Sequence, residues 1–224
     1  MERHFETELA ELKKNVLMMG LAAEEAMIKA VEALKSLDKE SAEKIILDDK
    51  YIDDYELKID EMCLELLALQ QPMAKDLRFV TMTMKITTDL ERIADLAVDI
   101  AQRVIELSGE PLLKPLVDIP KLTILAQEMT KDSVTAFIDR DEALAKNVIL
   151  RDPEADTLRN AVQRELIEDY TAKDKSVVSR AVPLLLVARH LERICDHATN
   201  IAEDVIFLIK GDVVKHHPEK LNNK

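Results

Sequence analysis

The chain has 224 residues, of which 47% are hydrophobic but only 3% aromatic, with three glycines and no tryptophan. This composition favours long amphipathic helices over a β-sandwich, which needs more glycines, aromatic residues and turns. The net charge of −13 argues against nucleic-acid binding, because a phosphate backbone requires a basic protein face. No segment is typical of a signal peptide or a membrane span, so we expect a cytoplasmic protein.

Apolar residues recur at steps of three and four positions in six segments, which predicts six long amphipathic helices. The predicted helices span residues 5–37, 38–71, 75–107, 118–139, 142–171 and 175–210. Asp38 is placed to cap the start of the second helix, and Gly109 to cap the end of the third. Pro153 and Pro183 lie inside helical stretches, where we expect a kink or a restarted helix.

The second half of the chain repeats the first. A shift of 103 residues superposes Asp49 on Asp152 and Asp53 on Asp156. A shift of 101 superposes LERIADLAVDIA, from residue 90, on LERICDHATNIA, from residue 191, with 8 of 12 positions identical. An internal duplication of a three-helix unit explains both shifts. We therefore predict an all-α fold of two tandem homologous three-helix bundles, at residues 1–112 and 113–224.

Acidic residues recur four positions apart at the same places in both repeats. These pairs are Asp49 and Asp53, Glu91 and Asp95, Asp152 and Asp156, and Glu192 and Asp196. Carboxylates one helical turn apart are about 5–6 Å from each other and repel, whereas a bound cation would make their proximity favourable. If the helices that carry the pairs are neighbours, four carboxylates converge in each half. Oxygen ligands of this kind suit Mg²⁺, Mn²⁺ or Ca²⁺, and also carboxylate-bridged iron.

Taken together, these features resemble the PhoU family of bacterial phosphate-transport regulators. The resemblance rests on the duplicated acidic pairs, the KDLR sequence at residues 75–78, the two LER phrases and the six-helix duplication. It implies a negative regulator of the phosphate regulon that is not an enzyme. The implied partners are the ATPase subunit of the phosphate ABC transporter and a sensor histidine kinase, and contact with the membrane is indirect, through these partners. We also expect a homodimer, because long amphipathic helices offer surfaces for self-association.

The resemblance also implies bound metal, with iron favoured and zinc, manganese or magnesium as other choices. The candidate ligands are Asp49, Asp53, Glu91, Asp95 and Asp99 in the first half, and Asp152, Asp156, Glu192, Asp196 and Asn200 in the second. Asn200 offers a neutral oxygen where Asp99 offers a charge. We therefore expect the second site to bind cations more weakly or to be populated differently.

Several other polar residues lie near these motifs. Arg92 and Arg193 follow the motif glutamates and are candidates for pairing with the acids or contacting a partner, although a solvated surface arginine is the commoner case. His190 and His197 flank the second motif, but the first repeat has no histidine at the equivalent positions, so we interpret them as bystanders. The two cysteines, Cys63 and Cys195, lie in apolar helical phrases and are predicted to be buried and reduced, while His216 and His217 belong to a polar tail.

Two alternatives compete with a regulatory metal-binding protein. A di-iron enzyme could use a carboxylate-lined bundle, but such enzymes usually carry Glu-x-x-His pairs, and the residues three before His190, His197 and His216 are not glutamates. A purely structural scaffold could use acidic faces for solubility, but this explanation does not account for acidic pairs that repeat in register.

Overall fold

The computed structural model describes residues 2–211, with their side chains from Phe5 onward. The helices are α1 (Glu2–Ser36), α2 (Lys39–Asp48), α3 (Lys50–Glu65), α4 (Lys75–Leu107), α5 (Asp118–Asp139), α6 (Glu142–Arg164) and α7 (Val178–Lys210). Only Asp49 separates α2 from α3, and its φ of −54° and ψ of −37° are helical, so the two form one long helix. The described residues contain no strand, and the predicted all-α fold of six long helices is confirmed. His216 and His217 lie outside the described residues.

Short irregular turns extend three of these helices. A π-helical segment, Leu66–Gln70, continues α3, and a second one, Glu165–Thr171, continues α6 at the equivalent place in the other half. A 3₁₀ turn, Lys175–Val177, leads into α7. The repeat therefore extends to the ends of the helices as well as to their centres.

The corners between the first and second helix of each half are the same structure. Leu37 and Arg140, at equivalent positions, both adopt left-handed backbone conformations, with φ of 54° and 55°. The next residue, Asp38 or Asp141, accepts a hydrogen bond from a backbone N–H three residues later at 3.0 Å. Because these carboxylates satisfy an otherwise unpaired helix donor, they fix where the second helix begins. The predicted cap at Asp38 is confirmed.

The third helices of the two halves end differently. Gly211 closes α7 with a left-handed φ of 77°, and its N–H donates to the Phe207 carbonyl at 2.8 Å. Gly109 has no positive φ, so the prediction that it caps α4 in this way was wrong. Ser108 ends α4 instead, because its hydroxyl donates to the Ile105 carbonyl at 2.8 Å and satisfies a terminal acceptor.

Neither internal proline restarts its helix. Pro153 lies inside α6 and Pro183 inside α7, and both helices continue through them. Of the two expected outcomes the restart was therefore wrong, and the kink stays a prediction. A proline removes one backbone hydrogen bond and costs about 3 kcal/mol in a helix interior. Both helices bury apolar residues on each side of the proline, among them Val148, Ala155 and Val187, and this burial outweighs the lost hydrogen bond.

The two halves pack side by side along α4 and α7, which run antiparallel. The Lys85 ammonium on α4 lies 2.6 Å from the Asp204 carboxylate on α7, and the Asp89 carboxylate lies 2.8 Å from Nδ1 of His197. We call this α4–α7 contact the central seam. Apolar side chains of both helices, including Leu90 on α4, are fully buried around these polar pairs. The hydrophobic core is therefore continuous between the halves.

A second contact between the halves lies where α1 meets α5. The Gln127 amide donates to the Glu24 carboxylate at 2.8 Å, and these two residues are equivalent under the shift of 103. Equivalent residues meet in this way when the halves are related by an approximate two-fold axis. A Cβ atom on Gly20 would stand 3.0 Å from a methyl group of Val134, so this glycine permits the close approach of α1 to α5. The domain division at residue 112 stays a prediction.

The structure bears on the burial of the two cysteines and on membrane-spanning helices. Cys63 and Cys195 are both buried and free, as predicted. No helix within the described residues is long and apolar enough to cross a membrane.

We predict that Lys85→Met destabilises the protein more than Lys29→Met does. Lys85 neutralises Asp204, whose side chain is only 3% exposed, whereas Lys29 pairs at 2.7 Å with the exposed Glu25. Because Lys85 is itself partly exposed, we expect a loss of about 2 kcal/mol, below the usual range for breaking a buried pair. Lys29→Met should cost less than about 1 kcal/mol. Urea unfolding of both variants measures the difference, and equal losses would contradict a structural role for the seam pair.

Candidate functional site

The acidic residues of the first half come together where α2, α3 and α4 meet. Asp49 lies at the junction of α2 and α3, one turn before Asp53, and faces Asp95 on α4. Loss of water around Asp49, followed by the charges of Asp53 and Asp95, raises the pKa of its carboxyl group to about 6. The structure thus brings both predicted pairs of this half to one place.

Glu91 on α4 belongs to the same group. Its pKa is raised to about 7, mainly by burial and then by the charge of Asp95, with a further contribution from Glu56. Burial, Asp60 and Asp53 likewise raise the pKa of Glu56. We call these six residues the first acidic cluster: Asp49, Asp53, Glu56, Asp60, Glu91 and Asp95.

The sequence comparison of the two repeats did not predict Glu56 and Asp60. Their equivalents in the second half are Arg159 and Gln163, so a search for acids that recur in register excludes both. A helical-wheel argument could have found them, because Glu56 lies three residues after Asp53, and Asp60 four residues after Glu56.

Arg92 pairs with the first acidic cluster from its own helix. Its guanidinium lies 2.7 Å from the Asp95 carboxylate and 3.4 Å from that of Glu91. Among the side chains of residues 5–211, no three His, Cys, Asp or Glu groups stand close enough together to hold a metal ion as placed. Arg92 occupies the Glu91 and Asp95 carboxylates through these two contacts. A cation bound here would need side-chain rotations that bring the oxygens inward.

The donor set of the first acidic cluster fits a hard cation. All six side chains end in carboxylates, and the pKa values of Asp49 and Glu91 are raised first by burial and then by the charges of neighbouring carboxylates. A divalent cation would reverse this repulsion and lower both pKa values.

The predicted acids of the second half also converge, but with a basic residue among them. We call Asp152, Asp156, Glu192 and Asp196 the second acidic cluster. Loss of water, then Glu192, Asp152 and Asp156, raises the pKa of Asp196 to about 6. The Arg159 guanidinium donates to Asp156 at 2.7 Å and contacts Glu192 at 3.2 Å.

Asp99 and Asn200 lie outside both clusters, in the central seam. The Asp99 carboxylate faces Nδ1 of His190 at 3.7 Å, and the Asn200 amide donates to Asp89 at 3.5 Å. A step of eight residues turns about 80° around a helix of 3.6 residues per turn, which carries Asp99 away from the face of Glu91. Their role as ligands stays a prediction.

The histidines near the motifs contact a neighbouring helix, and the cysteines are buried in the core. His190 and His197 both face α4 across the central seam, a role that the sequence alone did not indicate.

Burial raises the pKa of the Cys195 thiol above its ordinary value and that of Cys63 to about 12. Neither thiol is therefore ionised near neutral pH, and neither is suited to bind metal as a thiolate without losing a tightly held proton.

We predict that the metal-free protein loses stability as the pH rises from about 4 to 7. The pKa of Glu91 is about 7 in the folded protein, above that of an unfolded glutamate, so the folded state holds a proton that it must lose. Glu91→Gln removes this penalty and should add about 1 kcal/mol near pH 8 while changing little near pH 4. The control is Glu61→Gln, which makes the same substitution at an exposed glutamate on α3. Chemical unfolding across this pH range in the presence of a chelator measures both, and equal pH slopes for Glu91→Gln and the parent would contradict the prediction.

Comparison with known proteins places this arrangement in a family. A family model described as the PhoU domain matches residues 16–104 and 119–205. The phosphate-specific transport system accessory protein PhoU homolog of Aquifex aeolicus is 45% identical over 93% of this chain and 94% of its own length. The corresponding protein of Clostridium acetobutylicum is 39% identical over 94% of this chain and 96% of its own.

Solved structures agree with the sequence relatives. The crystal structure of PhoU from Pseudomonas aeruginosa superposes with a TM-score of 0.88 at 35% identity, covering 93% of this chain and 100% of that one. The phosphate transport system regulatory protein PhoU from Streptococcus pneumoniae gives a TM-score of 0.87 at 33% identity, covering 94% and 99%. The matches extend over nearly the whole chain, and the residues matched by the family model span the positions of both acidic clusters. The chain therefore belongs to the PhoU family.

Proposed function

We propose that this chain regulates phosphate uptake and represses the phosphate-starvation genes when phosphate is plentiful. The observation that carries this proposal is the match over nearly the full length to proteins named as accessory or regulatory components of phosphate transport. The same names support a protein that acts by contact and performs no catalysis. Nothing in the geometry of the described residues favours the di-iron enzyme over this function.

The proposed contacts are with the ATPase subunit of the phosphate ABC transporter and with a sensor histidine kinase, at the cytoplasmic side of the membrane. Two exposed leucines support a surface for protein contacts, because Leu47 and Leu150 are 77% and 70% exposed at equivalent positions of the repeat. Arg193 is also exposed, and we propose it as a contact residue, with Arg92 as its equivalent. In a homodimer, two copies of each of these surfaces would be available to the partner proteins.

We further propose that the first acidic cluster binds a divalent or trivalent cation. Asp49 and Asp53 would supply oxygens from the α2–α3 helix, and Glu91 and Asp95 from α4, so that the ion would link two helices. Iron is favoured by the family resemblance, and manganese, magnesium or zinc are the other candidates. The carboxylate oxygens and their unfavourable mutual repulsion support the proposal.

Deletion of the gene in its host should raise alkaline phosphatase activity in phosphate-rich medium, because repression through the sensor kinase would be lost. Restoring the parent chain on a plasmid should return the activity to its repressed level. Phosphatase activity per cell is the measurement. Unchanged repression in the deletion strain would argue against the regulatory function.

The double variant Glu91→Ala, Asp95→Ala should lose about tenfold or more of its metal affinity, because it removes both α4 ligands of the first acidic cluster. The control is Glu61→Ala on the exposed face of α3. Elemental analysis of proteins purified without chelator measures metal per chain. Equal contents in the double variant and the parent would remove these residues from the site.

A further inference from the structure

The two acidic clusters differ in charge although they occupy equivalent places. Where the first has two additional acids and a threonine, the second has two arginines and a glutamine. The equivalent pairs are Glu56 and Arg159, Asp60 and Gln163, and Thr88 and Arg189. The first cluster thus has six carboxylates with Arg92 beside them, whereas the four carboxylates of the second have three arginines around them.

Arg159 occupies the position between the helices that a bridging cation would need. Its guanidinium lies 2.7 Å from the Asp156 carboxylate on α6 and 3.2 Å from the Glu192 carboxylate on α7. The Arg159 side chain is only 28% exposed, and it links the two helices directly. A guanidinium stays charged at every physiological pH, so this internal cation does not dissociate by losing a proton.

Arg92 in the first half is not equivalent to Arg159 in this respect. Both acids that Arg92 contacts, Glu91 and Asp95, are on its own helix, and its side chain is 55% exposed. It can turn into solvent without breaking a link between helices. The position that corresponds to Arg159 holds Glu56, which is near enough to Glu91 for their charges to interact.

The surroundings of the second cluster add to this difference. A cavity of about 650 Å³ lies beside it, between the end of α6 and the middle of α7. Arg159, Arg189 and Arg193 line this cavity together with Glu192 and Asp196. Three positive side chains beside these carboxylates lower the local concentration of cations.

We infer that Arg159 replaces the metal in the second half, so that the chain binds metal in its first half only. This inference rests on the proposed metal binding of the first acidic cluster. It makes Arg159 the residue that determines the ligand specificity of the second cluster, and it makes the two halves chemically unequal despite their common fold.

Metal stoichiometry in charge-exchanged variants tests the inference. The full-length protein, stripped with chelator, is titrated with Mn²⁺, and the free ion is counted by electron paramagnetic resonance. Arg159→Glu should roughly double the Mn²⁺ bound per chain, because it recreates the charge of the first cluster. Arg159→Gln, which removes the charge without adding a carboxylate, should give a smaller gain.

Glu56→Arg should abolish Mn²⁺ binding. The double variant Glu192→Ala, Asp196→Ala should leave the bound Mn²⁺ unchanged. Circular dichroism and thermal unfolding confirm that each variant is folded.

The outcomes separate this inference from the proposed function. If Glu192→Ala, Asp196→Ala loses about half of the bound Mn²⁺, both halves bind metal, and the inference is overturned while the proposed metal binding stands. If the parent binds none but Arg159→Glu does, the proposed first site fails and metal binding in the first half is overturned, whereas the exclusion of metal from the second half by Arg159 stands. Absence of Mn²⁺ from the parent and from Arg159→Glu would overturn both.

Discussion

The packing of α4 against α7 is the interaction on which the rest of the molecule depends. These two helices belong to different halves, and each contacts the other helices of its own half on one side and the partner helix on the other. Their apolar residues, such as Ile93 and Ile194, are fully buried. Within this apolar contact, the Lys85 and Asp204 pair fixes the register, because a buried carboxylate is tolerated only where its charge is compensated. The seam therefore sets how the two halves lie against each other.

This arrangement also sets where the acidic clusters lie. One side of α4 faces the seam, and the adjacent side, which carries Glu91 and Asp95, faces α2 and α3. The same relation holds for α7 and α6 in the second half. The acids are thus held in the grooves between rigid helices, where water screens them less than on an open surface. The raised pKa values of Asp49 and Asp196 are the physical consequence.

The duplication preserved the scaffold more strictly than the charges. The corners at Leu37 and Arg140 keep the same unusual backbone geometry, and the capping aspartates keep the same hydrogen bond. Glu56 and Arg159, by contrast, carry opposite charges at equivalent points. Backbone geometry at a helix corner constrains both halves equally. The side chains that line a groove can change without altering that geometry. Divergence at such a position changes the charge of a groove without changing the fold.

The sequence by itself determined the helices, the capping aspartate at residue 38, the duplication and the acidic pairs, because periodicity and capping are local properties of the chain. It did not determine that Pro153 leaves α6 continuous, since packing along the whole helix decides whether one lost hydrogen bond ends it. Nor did it place Asp99 and His190 together or Arg159 between two carboxylates. The Asp99–His190 and Arg159–Glu192 contacts join different helices, and only the tertiary structure fixes which helix faces meet and how each helix is rotated.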